Sequence, residues 1–130
     1  MDNRNLIRHI YEQISVGNAT PLLDHLDDDV SWTIIGTTGV SGTYRGRQTV
    51  IDSLIGPVRT HLSTPINFTI RRVLADDDWT VLIADGEATT IAGQPYNNTY
   101  CIVARIVDGR ILEMTDYVDT ELITQSLLAN

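Results

Sequence analysis

The sequence predicts an α+β domain in which a curved antiparallel sheet packs on N-terminal helices, and three observations carry that prediction. Apolar stripes at helical spacing are concentrated before Pro65, whereas long alternating runs fill the chain from Ile66 onward. The last two of those runs meet at Asp108-Gly109, a pair that tolerates φ > 0 at both turn positions and so marks a two-residue hairpin. Helices segregated to one side of an antiparallel sheet make this class, and a strongly twisted sheet with helices on its concave face leaves a conical hollow.

In order, Leu6, Ile7, Ile10, Tyr11 and Ile14 make a helical stripe over residues 3–16, ended by Gly17-Asn18. Thr20-Pro21 reads as an N-cap with proline at the first helical position, opening a short second helix through Leu22, Leu23 and Leu26. The acidic run Asp27-Asp28-Asp29 lacks the alternating ligands and central glycine of a calcium loop and is read as a solvated turn. Val30, Trp32 and Ile34 alternate along a strand, and the glycine-rich segment 37–46 is read as a loop without the lysine of a phosphate loop. A third helix starts near Arg47 with Val50, Ile51, Leu54 and Ile55 as its buried stripe, and Gly56-Pro57 breaks or kinks it. Strands follow over 66–73, 79–91, 96–107 and 110–118, with turns at Asp76-Asp77-Asp78, Gly93 and Asp108-Gly109, then a short helical tail using Leu122, Ile123 and Leu127.

Counting outward from Asp108-Gly109 sets Val107 opposite Arg110, Arg105 opposite Leu112, Val103 opposite Met114 and Cys101 opposite Asp116. Leu112, Met114, Asp116 and Val118 then share one face, with Ile111, Glu113, Thr115 and Tyr117 on the other. Asp116 is the single acid on an apolar face. In such a setting it is either a hydrogen-bonded structural group or a proton-transfer residue. Trp32, on the strand that walls the hollow, is read as core or ligand contact. By the same register Asn98 and Tyr100 lie on the far face unless a bulge turns them inward. Cys101 is read as a small buried hydrophobe. The outer face with Tyr100, Ile102, Ile111, Glu113 and Tyr117 would leave an oily patch in water, which predicts a symmetric homodimer.

The 130 residues make one domain, 1–130. A net charge of −8 argues against nucleic acid, whose phosphates call for clustered Lys and Arg. No apolar run is long enough to span a bilayer and no basic, then apolar, leader opens the chain. One cysteine and three histidines (His9, His25 and His61) without ligand spacing point to no metal, and a reducing cytoplasm is expected.

The element order, the segment 32–46 and above all Tyr96-x-Asn98-x-Tyr100, Asp108-Gly109-Arg110-Ile111 and Tyr117-x-Asp119-Thr120 resemble the SnoaL-like and ketosteroid-isomerase-related proteins of the nuclear-transport-factor-two-like superfamily. The resemblance covers nearly the whole chain and implies the cystatin-like cone with no cofactor. That fold hosts isomerases, cyclases, hydrolases and binding proteins, so it does not name a reaction. The general base and the oxyanion pair of ketosteroid isomerases fall here on Ile34, Ile10 and Cys101, which argues against steroid isomerisation. The arginine of limonene epoxide hydrolases is missing from Ala84-Asp85-Gly86-Glu87. The acid/base Asp of SnoaL-like cyclases matches Asp116. The implied activity is a cofactor-independent isomerase or cyclase acting on a small apolar or aromatic molecule, with Asp116 catalytic and Trp32, Met114, Val118, Cys101 and Val103 around the ligand. Two rivals stay open: a non-catalytic ligand-binding protein, and a dimeric interaction module of the same fold.

Overall fold

The computed structural model describes residues 1–128. Five helices and six strands follow in the order α1 (Asn3–Ser15), α2 (Thr20–His25), β1 (Leu26–Ile34), β2 (Gly42–Arg45), α3 (Arg47–Val50), α4 (Gly56–Thr60), β3 (Asn67–Asp76), β4 (Trp79–Thr89), β5 (Pro95–Val107), β6 (Arg110–Tyr117) and α5 (Thr120–Ile123). All six strands join one sheet in the order β2-β1-β6-β5-β4-β3. Every pairing is antiparallel except β1 with β6, so the sheet is mixed where an antiparallel one was expected.

The helices follow the sequence rules. Asp2 caps α1 by accepting the Asn5 N–H at 2.8 Å, and Gly17 closes it at φ 88 with its N–H on the Ile14 carbonyl. The stripe Leu6, Ile7, Ile10 and Tyr11 is buried against β3 and β4. Gly56-Pro57 does not break the third helix. A π-helical turn, Ile51–Ile55, joins α3 to α4 and absorbs the proline. A second π-helical turn, Thr124–Leu128, extends α5.

Two stretches read as loop or turn are strand. Residues 42–45 pair with β1, with the Thr33 and Thr43 hydroxyls 2.9 Å apart across the ladder. Asp27 to Asp29 lie within β1 where its register with β6 shifts, so that Leu26 and Val30 are both fully buried while Asp28 and Asp29 face water. The Arg110 guanidinium donates to the Asp24 and Leu26 carbonyls, each at 3.1 Å, and pins this irregular entry to β6.

The hairpin turn forms as read, with Asp108 and Gly109 at φ 51 and 73 and Val107 facing Arg110. The register beyond it does not. A bulge on β6 pairs Arg105 with Glu113, Ala104 with Met114, Ile102 with Asp116 and Cys101 with Tyr117. One extra residue flips every side chain farther along β5 relative to β6. Ile111 is therefore buried together with Met114 and Asp116, while Cys101 and Val103 move to the outer face with Thr115 and Tyr117. Tyr100, Ile102 and Ile111, expected at a dimer face, belong to the core. Among the described residues no helix is long and apolar enough to cross a membrane.

Candidate functional site

The bulge turns the even-numbered positions of β5 inward, so Tyr96, Asn98, Tyr100 and Ile102 join Asp116 under the helices. Between this concave face and the helical layer lies a cavity of about 380 Å³, within the range of small-molecule sites. Its depth is walled by Tyr11, Trp32, Ile34, Phe68, Tyr96, Tyr100, Ile102 and Asp116. Val40, Ile123 and Leu127 add the C-terminal side, and Arg59, Ser63 and Thr64 stand at an exposed rim.

The C-terminal wall is tied by short polar links. Thr38 Oγ1 donates to the Thr120 carbonyl at 3.2 Å, and Thr124 Oγ1 donates to Thr38 Oγ1 at 3.0 Å. Asp119 caps α5 by accepting the Leu122 N–H at 3.1 Å. These contacts hold Ile123 and Leu127 over the open end of the sheet.

Asp116 sits mid-sheet, paired with Ile34 of β1 on one side and Ile102 of β5 on the other. It is 8% exposed. Trp32 Nε1–H donates to Asp116 Oδ1 at 3.1 Å. Oδ2 has no hydrogen-bond partner among the described residues, and no sealed side-chain oxygen goes unpaired there, so Oδ2 opens on the cavity. Burial raises the Asp116 pKa from 3.8 to about 7, against the smaller lowering effect of the Trp32 hydrogen bond. Near neutrality the group is thus divided between acid and carboxylate, which suits either direction of proton transfer.

The cavity tyrosines Tyr11, Tyr96 and Tyr100 stay protonated. Burial, then the Asp116 charge, pushes Tyr11 well above 10.0, and burial does the same to Tyr100. Phe68 packs edge-on against both rings, with centroids 5.0 Å from Tyr11 and 5.0 Å from Tyr100. Gly86 makes room for the Tyr100 ring: a Cβ there would stand 2.7 Å from Tyr100 Cε1.

Of the residues expected around the ligand, Trp32 and Asp116 line the cavity. Met114 shares their face but is packed into the core at 1% exposure. Val118 lies just past the end of β6 and outside the cavity walls, and Cys101 and Val103 point to the opposite side of the sheet. The bulge is the physical reason for the last two. Tyr11, Phe68 and Tyr96 were missed, and Tyr100 was expected on the far face unless a bulge turned it inward; for β5 the available signal was the opposite charge of Arg105 and Glu113, which the bulge sets across from each other with 3.6 Å between Nη1 and Oε2. His61 Nδ1–H donates to the Pro57 carbonyl of its own helical segment at 2.8 Å, and Glu87 is exposed on β4. Among the described residues no three His, Cys, Asp or Glu side chains come together as metal ligands.

A family model of the SnoaL-like domain matches residues 7–114. No curated protein matches the chain. Among solved structures, an NTF2-like protein of unknown function from Burkholderia pseudomallei K96243 superposes with a TM-score of 0.81 at 24% identity, over 99% of this chain and 100% of its own. TerC, co-crystallised with polyporic acid, gives 0.76 at 21% identity over 96% and 97%. A putative SnoaL-like polyketide cyclase from Jannaschia sp. CCS1 gives 0.75 at 10% identity over 97% and 91%. At these identities the structural likeness establishes the fold alone.

Proposed function

This chain belongs to the SnoaL-like domain family, and within it we propose a pocket protein that binds a small apolar or aromatic molecule and moves a proton on it through Asp116. The observation that carries this reading is one buried carboxyl on a mostly apolar wall, with one oxygen open to the cavity and a pKa raised to about 7. The carboxylate takes a proton from a carbon next to a carbonyl, leaving the electron pair delocalised onto the carbonyl oxygen. The carboxylic acid so formed returns the proton to the same or another carbon. Isomerisation runs on this exchange without a further reagent; in intramolecular aldol-type closure the enolate carbon instead bonds to a second carbonyl carbon of the same molecule, and the carboxylic acid gives its proton to that carbonyl's oxygen. The neighbour co-crystallised with polyporic acid supports a small-molecule ligand.

The test begins with a thermal-shift screen of ring ketones, repeated on Trp32→Ala to locate hits in the cavity. Carbon-bound hydrogens of each hit are then followed by NMR in D₂O. Wild type accelerates their exchange, and Asp116→Asn slows it by roughly a hundredfold or more while binding persists. Equal exchange in both proteins would leave a binding protein in which Asp116 merely accepts the Trp32 hydrogen bond.

The outer sheet face favours a homodimer. Val81, Ile83, Cys101, Val103 and Thr115 are half-buried there and Tyr117 is 49% exposed, an apolar surface that a second copy would cover.

A further inference from the structure

Asn98 is held in one orientation by the backbone. Its Oδ1 accepts the N–H groups of Thr99 at 2.9 Å and Asp119 at 3.2 Å, while its Nδ2 donates to the Asp119 carbonyl at 3.1 Å. The amide cannot flip without losing all three. Its remaining N–H therefore points at the Tyr96 hydroxyl, 3.0 Å away, and Tyr96 Oη lies 2.6 Å from Tyr100 Oη. Two hydroxyls carry two protons, and one is used in the bond between them. Neither hydroxyl has another partner among the described residues, so one O–H is left over on a cavity wall.

Tyr100 stands closer to Asp116 along the sheet. Ile102 is directly opposite Asp116, and Tyr100 is the next inward residue of β5, a diagonal neighbour. We infer that Asn98, Tyr96 and Tyr100 form a directed relay whose terminal Tyr100 O–H binds the carbonyl or enolate oxygen of the ligand, which makes the ligand class a ring system carrying a ketone. The inference deepens the proposed pocket chemistry and rests on it. Each bond in the chain polarises the next, so a donor fed by Asn98 strengthens as negative charge grows on the oxygen it holds. Both phenols hold their protons at neutral pH because burial raises them, as a donor requires. Tyr11 offers a second cavity-facing hydroxyl, but it has no hydrogen-bond partner among the described residues to aim it.

The test compares 2-acetonaphthone with 2-isopropenylnaphthalene, which replaces the carbonyl oxygen by CH₂ at nearly constant shape. Affinities are measured by titration calorimetry at about pH 8.5, where Asp116 is ionised and cannot donate. Wild type favours the ketone by about fivefold to tenfold. Tyr100→Phe brings the two compounds within about twofold while the hydrocarbon binds as before, which also shows the cavity intact. Tyr96→Phe lowers the preference in part, and Tyr11→Phe keeps it. A preference that survives Tyr100→Phe, or that vanishes with Tyr11→Phe instead, overturns the relay but leaves the pocket reading standing. Wild type binding both compounds equally does the same. Binding of neither compound takes down the pocket reading and the relay together.

Discussion

Replacing Asp116 with Asn should change how stability depends on pH, and the size of the change follows from the site. In the folded protein burial holds the Asp116 pKa at about 7, against 3.8 for a free carboxyl. Between those values the folded state keeps a proton that the unfolded chain has released, so stability falls as pH rises through the window and levels off above it. At ~1.4 kcal/mol per pH unit the gap amounts to about 4 kcal/mol. Asn is neutral throughout, fills the same space and still offers Oδ1 to the Trp32 N–H. Urea unfolding of both proteins at fixed concentration, from about pH 4 to pH 8, should give curves that coincide at the acid end. Asp116→Asn should then be the more stable by about 4 kcal/mol at the alkaline end. Taking the difference cancels the other titrating groups. Trp32→Phe removes the one donor that lowers this pKa, and a ¹³C titration of the Asp116 carboxyl should move upward in that variant. Parallel stability curves for wild type and Asp116→Asn would refute the reasoning, since they would mean the carboxyl is as well solvated folded as unfolded.

Two further outcomes test the packing around the site. Gly86→Ala drives a methyl to within 2.7 Å of the Tyr100 ring and 3.0 Å of Ile66 Cγ2, so it should cost about 1–3 kcal/mol in urea unfolding and erase the ketone preference. Sedimentation velocity should show a dimer that Val103→Lys, at the middle of the outer sheet face, converts to monomer; a wild type already monomeric at micromolar concentration would reject the interface.

What the sequence determined by itself is what local rules decide. The stripe of α1, the Asp108-Gly109 turn and the long strands depend on periodicity and on residues that tolerate φ > 0, and all are visible one segment at a time. The isolation of Asp116 among apolar neighbours was legible for the same reason, since alternation along β6 holds from Met114 onward. Tertiary structure decided what Asp116 faces. Whether Cys101 or Ile102 stands beside it turns on one extra residue near Leu112, because a strand's side chains alternate with period two and a single insertion reverses their sense. That insertion lets Ile111 pair with Leu26 of β1 in the core, a contact distant in sequence, while Glu113 meets Arg105 across the ladder within the hairpin. The parallel pairing of β1 with β6, which brings Trp32 to Asp116 across 84 residues of chain, is likewise a property of the assembled sheet and of no single segment.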